Sequence, residues 1–214
     1  MEHANRLPTP SDKYLLYGRP GLGSDMPQML LEEIGAPYEL VRVGRSPTDI
    51  EAYRRVAGTS KLPALGLPEG GTVFESAAIC IYLAETHPQA HLAPPVGTTE
   101  HARFLQWMVY LAANVYECCR RIHHSEAYGG PSGAETVRRK AIRDFADVLA
   151  PIVASLTPFV LGNDISAADF YLYVLVGWHP DGRETFSGAW PELARHTSLL
   201  AERASVRKVG AQPR

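Results

Sequence analysis

Cysteine, long apolar runs and an excess of either charge are all scarce in this chain of 214 residues. The three cysteines form no CxxC pair and are odd in number, so they indicate no disulfide framework, and a reducing, cytoplasmic compartment is expected. No apolar run is long enough to span a membrane. The formal net charge of −2 predicts no broad basic surface for nucleic acid. Neither a membrane nor a nucleic acid is therefore expected as a partner.

A segment rich in proline, alanine and glycine at residues 88–99 divides the chain and is typical of a linker. A polar tail over residues 1–12 precedes an alternating strand and helix pattern at 13–87. Residues 100–214 show helical patterns only. We therefore predict a small α/β domain of order βαβαββα, followed by an all-α helical bundle.

The element bounds follow from apolar periodicity and from Gly, Pro and Ser signals at the ends. In the first domain the predicted strands and helices cover residues 13–18, 24–35, 38–43, 48–56, 63–67, 72–74 and 76–85. In the second domain the predicted helices cover residues 100–128, 134–156, 166–178 and 191–206. The first two strands, joined through a helix, should be parallel, and the last two should form a hairpin around a Gly-Gly turn.

Three motifs give this organisation a family likeness. They are KLPAL at 61–65, with a proline directly before the third strand, FESAAICIYL at 74–83 and GNDISAADF at 162–170. In this order and spacing they resemble the glutathione transferase superfamily, over about residues 13–206. The resemblance implies a thioredoxin-like N-terminal domain that binds glutathione, a helical C-terminal domain, and a homodimer.

The resemblance also implies how glutathione would be held. A cis bond at Leu62–Pro63 would turn the leucine amide and carbonyl into a cleft, where a tripeptide can make strand-like hydrogen bonds. Ser76 and the first amides of its helix would receive a carboxylate, and Glu75 would pair with the free ammonium group. Either Lys61 or Arg19 would bind the glycyl carboxylate. The structural alternative is an ordinary edge-strand proline followed by a serine that only caps a helix.

Two residues are candidates for stabilising the thiolate, because the family uses a Tyr, Ser or Cys in or just after the first strand. Ser24, which opens the first helix, is the preferred candidate, and Tyr17, at the end of the first strand, is the second. Gly23 stands where cysteine-using members carry their cysteine, so a mixed disulfide with the protein is disfavoured. The structural alternatives are a plain helix cap for Ser24 and a core aromatic for Tyr17.

The second domain offers candidates for another pocket and for a structural motif. Tyr116, Arg120 and His124 follow one another at intervals of four residues and therefore lie on one face of the predicted helix. If that face looks onto the first domain, they line a pocket for the second substrate. A solvated or interdomain face is the alternative. Ser166 and Asp169 have the spacing of a capping box, which is a structural motif.

The remaining polar clusters indicate no further chemistry. His123 and His124 are adjacent and have no third ligand at helical spacing, so no metal site is predicted. Cys118 and Cys119 lie about 100° apart on a helix and cannot both face one site. The leading hypothesis is therefore a glutathione transferase that acts on an electrophilic carbon, a peroxide or a disulfide. The alternative is a non-catalytic binding or regulatory scaffold with the same fold.

Overall fold

The computed structural model describes residues 12–186 and 188–213, so nearly all of the predicted polar tail lies outside the described residues. The chain divides into two compact units. The first unit contains the residues up to Ala90 together with those from Glu202 onward, and the second contains His91–Ala201.

The first unit has an α/β architecture. Its elements are β1 (Tyr14–Gly18), α1 (Asp25–Ile34), β2 (Tyr38–Arg42), α2 (Pro47–Ala57), β3 (Ala64–Gly66), β4 (Thr72–Phe74) and α3 (Ser76–Thr86). The predicted order βαβαββα is confirmed.

The four strands form one mixed sheet in the order β2-β1-β3-β4. β1 and β2 are parallel, as predicted, because α1 carries the chain back to the starting edge. β3 is antiparallel to both β1 and β4. Gly70 and Gly71 make the turn between β3 and β4 with φ angles of 103° and 87°, which residues with a side chain rarely adopt.

Strand alternation separates the two faces of the sheet. Tyr17, Val41 and Ala64 are aligned across β1, β2 and β3 and belong to one buried cluster, which Tyr53 of α2 completes. Leu16 alternates with Tyr17 and is fully buried on the opposite face. Both faces of the sheet are therefore apolar, as expected for a small α/β unit.

The second unit is helical within the described residues. Its elements are α4 (Thr99–Tyr110), a π-helical turn (Leu111–Val115), α5 (Tyr116–His123), α6 (Glu126–Val153), α7 (Ala167–Val176) and α8 (Pro191–Ala201). None of the described helices, in either unit, is both long and apolar enough to cross a membrane.

Two predicted helix ends in this half of the chain are wrong. The helix predicted over 100–128 ends at His123. The next helical segment runs from Glu126 to Val153 with a break at Gly130, so the helix predicted from residue 134 corresponds to the part after that break. The run Gly129-Gly130-Pro131 lies inside α6 as a kink, because Gly130 adopts non-helical angles (φ 61°, ψ −178°). The helix predicted over 191–206 ends at Ala201.

A buried carboxylate organises the start of α7. Asp169 is fully buried and accepts hydrogen bonds from the Ser166 amide and hydroxyl, both at 2.8 Å, which is the predicted capping box. The Val160 amide donates to its other oxygen at 2.8 Å, and Nε2 of His196 lies 3.0 Å from that oxygen. Asp169 thus joins α7, the preceding loop and α8.

We expect Asp169→Asn to destabilise the second unit by about 3 kcal/mol, because it leaves buried donors without a charged acceptor. Urea unfolding followed by far-UV circular dichroism measures the change. Asp164→Asn, an exposed change in the same loop, is the control and should alter stability by less than about 0.5 kcal/mol. Equal effects of the two substitutions would contradict this assignment.

The C-terminal helix α9 (Ala204–Gly210) belongs to the first unit, whereas the predicted second domain ran on to residue 214. Glu33 of α1 accepts hydrogen bonds from the guanidinium of Arg203 and from the hydroxyl of Ser205, the latter at 2.5 Å. Burial alone would raise the pKa of the Glu33 carboxyl, but these hydrogen bonds and the Arg203 charge together hold the pKa below its usual value.

Because the Glu33 pKa is lowered in the folded state, its contribution to stability is present above the unfolded pKa of about 4.3 and is lost as the pH falls. We expect Glu33→Gln to lower the free energy of unfolding by about 1–2 kcal/mol at neutral pH and by less near pH 3. Urea unfolding across this pH range measures both. Glu51→Gln removes exposed pairs with Arg54 and Arg55 and is the control, with little expected effect.

Candidate functional site

Strand pairing brings the predicted ligand-binding segments together. Ala64 of β3 pairs with Phe74 of β4 in an antiparallel register, so Pro63, just before β3, and Glu75, just after β4, lie at the same end of the hairpin. Ala64 also pairs with Tyr17 of β1. Segments that are distant in sequence therefore share one end of the sheet.

The Leu62–Pro63 peptide bond is cis, as predicted. Pro63 is buried, Leu62 is half-buried and the Lys61 side chain is exposed. The Lys61 carbonyl accepts a hydrogen bond from the Tyr53 hydroxyl at 2.7 Å, and the Lys61 amide donates to the Thr59 hydroxyl at 3.2 Å. The backbone leading to the cis bond is therefore held on two sides.

The first turn of α3 has an unusual N-cap. Glu75 has a positive φ of 72° with ψ 113°, which is rare outside glycine, and its side chain is exposed and makes no capping hydrogen bond. Ser76 follows and is 6% exposed. An exposed carboxylate thus stands beside a helix N-terminus, an arrangement that suits a ligand with both an ammonium and a carboxylate group.

Ser24 lies in the loop between β1 and α1 and is fully buried. Its hydroxyl donates to the Arg19 carbonyl at 2.7 Å and accepts from the Arg19 amide at 3.0 Å. Ser24 occupies the N-cap position of α1, but its side chain makes no capping hydrogen bond to that helix. A Cβ atom on Gly18 would overlap the Ser24 side chain, so a glycine there permits this close packing. Ser24 therefore holds the loop in shape.

Arg19 connects the same loop to the end of β2. Its Nε donates to the Val43 carbonyl at 2.6 Å, and a terminal nitrogen donates to the Gly44 carbonyl. Further along the loop, the Gly21 amide donates to the Asp25 carboxylate at 2.9 Å. Arg19 was predicted only as a candidate for binding a ligand carboxylate, and its connection to β2 was missed because it depends on backbone carbonyls that have no sequence signature.

Tyr17 is 2% exposed and belongs to the buried cluster beneath α2. Its ring centroid lies 6.1 Å from that of Tyr53. Burial, and then the charge of Glu39, raises the pKa of its phenol, so Tyr17 is a protonated hydroxyl at neutral pH. Ser24 and Tyr17, the two predicted thiol-activating residues, are therefore both buried.

The three predicted second-substrate residues do not share one helical face. Tyr116 packs edge-to-face on Trp178 with centroids 5.2 Å apart, and the Arg120 guanidinium lies 5.9 Å from the centroid of Tyr128. α5 ends at His123, and His124 has non-helical angles (φ −130°, ψ 38°). The three predicted residues therefore do not lie on one continuous helix, because α5 ends before His124.

The three cysteines lie in the interior of the protein. Cys80, Cys118 and Cys119 are free and buried, and burial raises the pKa of each thiol. Both members of the adjacent pair are buried, since Cys118 is 0% and Cys119 is 1% exposed. Within 12–186 and 188–213, no group of three or more His, Cys, Asp or Glu side chains has metal-binding geometry.

Comparisons with known proteins agree with this architecture. Residues 24–86 match the family model for the glutathione S-transferase N-terminal domain, and residues 118–204 match that for the C-terminal domain. A glutathione S-transferase-like protein of Aspergillus terreus, gedE, is 30% identical over 91% of this chain and 92% of its own length. The uncharacterized GST-like protein YncG of Escherichia coli is 28% identical over 80% of this chain and 84% of its own.

Solved structures show the same likeness. A glutathione transferase homologue from Sulfitobacter with bound glutathione superposes with a TM-score of 0.83, 27% identity, and coverage of 92% of this chain and 97% of that chain. A sphingomonad glutathione S-transferase complexed with glutathione gives a TM-score of 0.77, 27% identity, and coverage of 92% and 96%.

We expect all three cysteines of the native protein to resist modification by 5,5′-dithiobis(2-nitrobenzoic acid), because each is buried and protonated. Release of the coloured thiolate at 412 nm measures the reaction. The same protein in guanidinium chloride is the control and should release three equivalents. One thiol that reacts within seconds in the native protein would show an activated cysteine and contradict this picture.

Proposed function

The chain belongs to the glutathione S-transferase family, and on this premise we propose that its first unit binds glutathione and activates its thiol for transfer to an electrophile. The observation that carries the proposal is the hairpin register, which sets the Leu62–Pro63 segment beside Glu75 and Ser76. Structures of relatives with bound glutathione support the choice of ligand.

In this proposal each part of glutathione meets a different element. The cysteinyl main chain forms strand-like hydrogen bonds with the backbone of Leu62. The γ-glutamyl carboxylate binds at Ser76 and the first amides of α3, where the helix dipole is positive, and Glu75 pairs with the ammonium group. Lys61 is better suited than Arg19 to the glycyl carboxylate, since its side chain is exposed while the Arg19 guanidinium already binds two carbonyls.

The thiol needs stabilisation as a thiolate. Lowering a thiol pKa of about 8.5 by two units requires about 2.7 kcal/mol of preferential stabilisation of the anion. Ser24 already donates its single proton to the Arg19 carbonyl, so we propose that it contributes by holding the loop and the N-terminus of α1 against the thiol. Tyr17 is the second candidate, as a buried phenol donor.

The proposed reaction is a nucleophilic substitution. The thiolate attacks an electrophilic carbon, a carbon–sulfur bond forms, and the leaving group departs with the bonding electrons. The same thiolate can attack a peroxide or a disulfide. From the family alone, we also propose that the protein is a homodimer, lies in the cytoplasm and acts in detoxification.

A second candidate function is a non-catalytic scaffold. The observation that favours it is that Ser24 and Tyr17 are both buried, and that the Ser24 hydroxyl already donates its proton to the Arg19 carbonyl. In that case glutathione would bind without a lowered thiol pKa.

We expect wild-type protein to bind glutathione with a dissociation constant between micromolar and millimolar, and Ser76→Ala to weaken binding about tenfold through the loss of a hydrogen bond to a charged group. Calorimetry measures both. Ser155→Ala removes a serine hydroxyl bonded to the Ile152 carbonyl in the second unit and should leave affinity unchanged. Absence of binding by the wild type would overturn the glutathione proposal.

We also expect Ser24→Ala to raise the pKa of the bound glutathione thiol while largely preserving affinity. Without the Ser24 hydroxyl the loop relaxes, and the thiolate loses the amide donors at the N-terminus of α1. Titration of the thiolate absorbance near 240 nm measures this pKa. A wild-type complex in which the bound thiol keeps a pKa of about 8.5 would favour the scaffold function instead.

A further inference from the structure

Tyr53 lies on α2, outside the segments that the family motifs single out, yet its hydroxyl reaches the segment before the cis bond. The oxygen lies 2.7 Å from the Lys61 carbonyl oxygen, and the ring is 1% exposed. Burial, and then the neighbouring Tyr17, raises the pKa of the phenol, so Tyr53 remains a protonated donor across the working pH range.

The contact with Tyr53 also sets the direction of the Leu62 amide, because of the geometry of the peptide unit. The Lys61 carbonyl and the Leu62 amide belong to one planar peptide unit, which is trans, so the two groups point in opposite directions. When Tyr53 holds the carbonyl toward α2, the Leu62 amide must point away from α2. That amide is the donor that the proposed function assigns to the glutathione main chain.

The donor itself is held firmly in place. The ring of Tyr53 packs in the buried cluster with Val41, Val43 and Ala64. Its helix begins at a complete capping box, in which the Ser46 hydroxyl and the Asp49 carboxylate bond each other's backbone amides. A hydroxyl held this way restricts the Lys61 carbonyl to one direction.

We propose that Tyr53 is a positioning residue for glutathione binding, which acts by orienting the Lys61–Leu62 peptide toward the tripeptide main chain. The inference rests on the proposed function, since it concerns the same site. It assigns to Tyr53 an effect on affinity for the main chain and no effect on activation of the thiol.

The test is Tyr53→Phe, which keeps the ring and removes only the hydroxyl. Calorimetry measures affinity for glutathione and for S-methylglutathione, which lacks an ionisable thiol, and the 240 nm titration measures the bound thiol pKa. We expect about fivefold weaker binding of both ligands and an unchanged thiol pKa, as for the loss of one neutral hydrogen bond.

Tyr110→Phe is the matched control. The Tyr110 hydroxyl donates to the Val148 carbonyl at 2.9 Å within the second unit, so the same change removes the same kind of bond elsewhere. It should leave both affinities unchanged. Urea unfolding of the two variants establishes that each is folded under the binding conditions.

The outcomes separate the inference from the function on which it rests. If the wild type does not bind glutathione, the proposed function fails. If the wild type binds and Tyr53→Phe binds equally well, or if Tyr53→Phe shifts the thiol pKa, the positioning role is overturned alone. If Tyr53→Phe does not fold, the wild type is titrated with S-methylglutathione and followed by NMR. The Leu62 amide resonance must shift on binding and the Tyr53 hydroxyl proton must stay protected from exchange, and failure of either result overturns the inference.

Discussion

The double pairing of Ala64 is the constraint on which the candidate site depends. This fully buried residue pairs with Tyr17 on one side and with Phe74 on the other. Because both partners are antiparallel, the residues just before β3 and just after β4 must lie at one end of the sheet. A one-residue slip in either pairing would turn the buried side chain of β3 to the other face, so the core and the site are set by the same register.

Backbone groups, more than side chains, shape this end of the first unit. Ser24, Arg19 and Tyr53 each direct a side-chain donor to a main-chain carbonyl. Each of these bonds orders a loop segment at the end of the sheet where β1 ends and β3 begins. A site built in this way tolerates varied side chains at its surface, since its recognition groups are peptide units that every residue possesses.

Different interactions stabilise the interior of each unit. The first unit combines two apolar sheet faces with a polar attachment of its last helix, in which Glu33 binds Arg203 and Ser205. The second unit depends on Asp169, which satisfies donors from three separate segments. A carboxylate buried in this way is favourable only when hydrogen bonds surround it, so the capping box and its histidine partner stabilise the unit as one network.

Local sequence signals determined the order of the elements and the position of the motifs. Apolar periodicity, the Gly-Gly turn and the prolines were sufficient for the α/β unit, the parallel first pair, the hairpin and the Ser166–Asp169 cap, because each depends on residues near one another in the chain. Only the tertiary structure decided the burial of Ser24, the contact of Tyr53 with Lys61 and the place of α9 in the first unit. The first two depend on which backbone carbonyls approach a given side chain, and carbonyls are identical at every position of a sequence. The third depends on Glu33 of α1 meeting Arg203 and Ser205, which lie far from it along the chain.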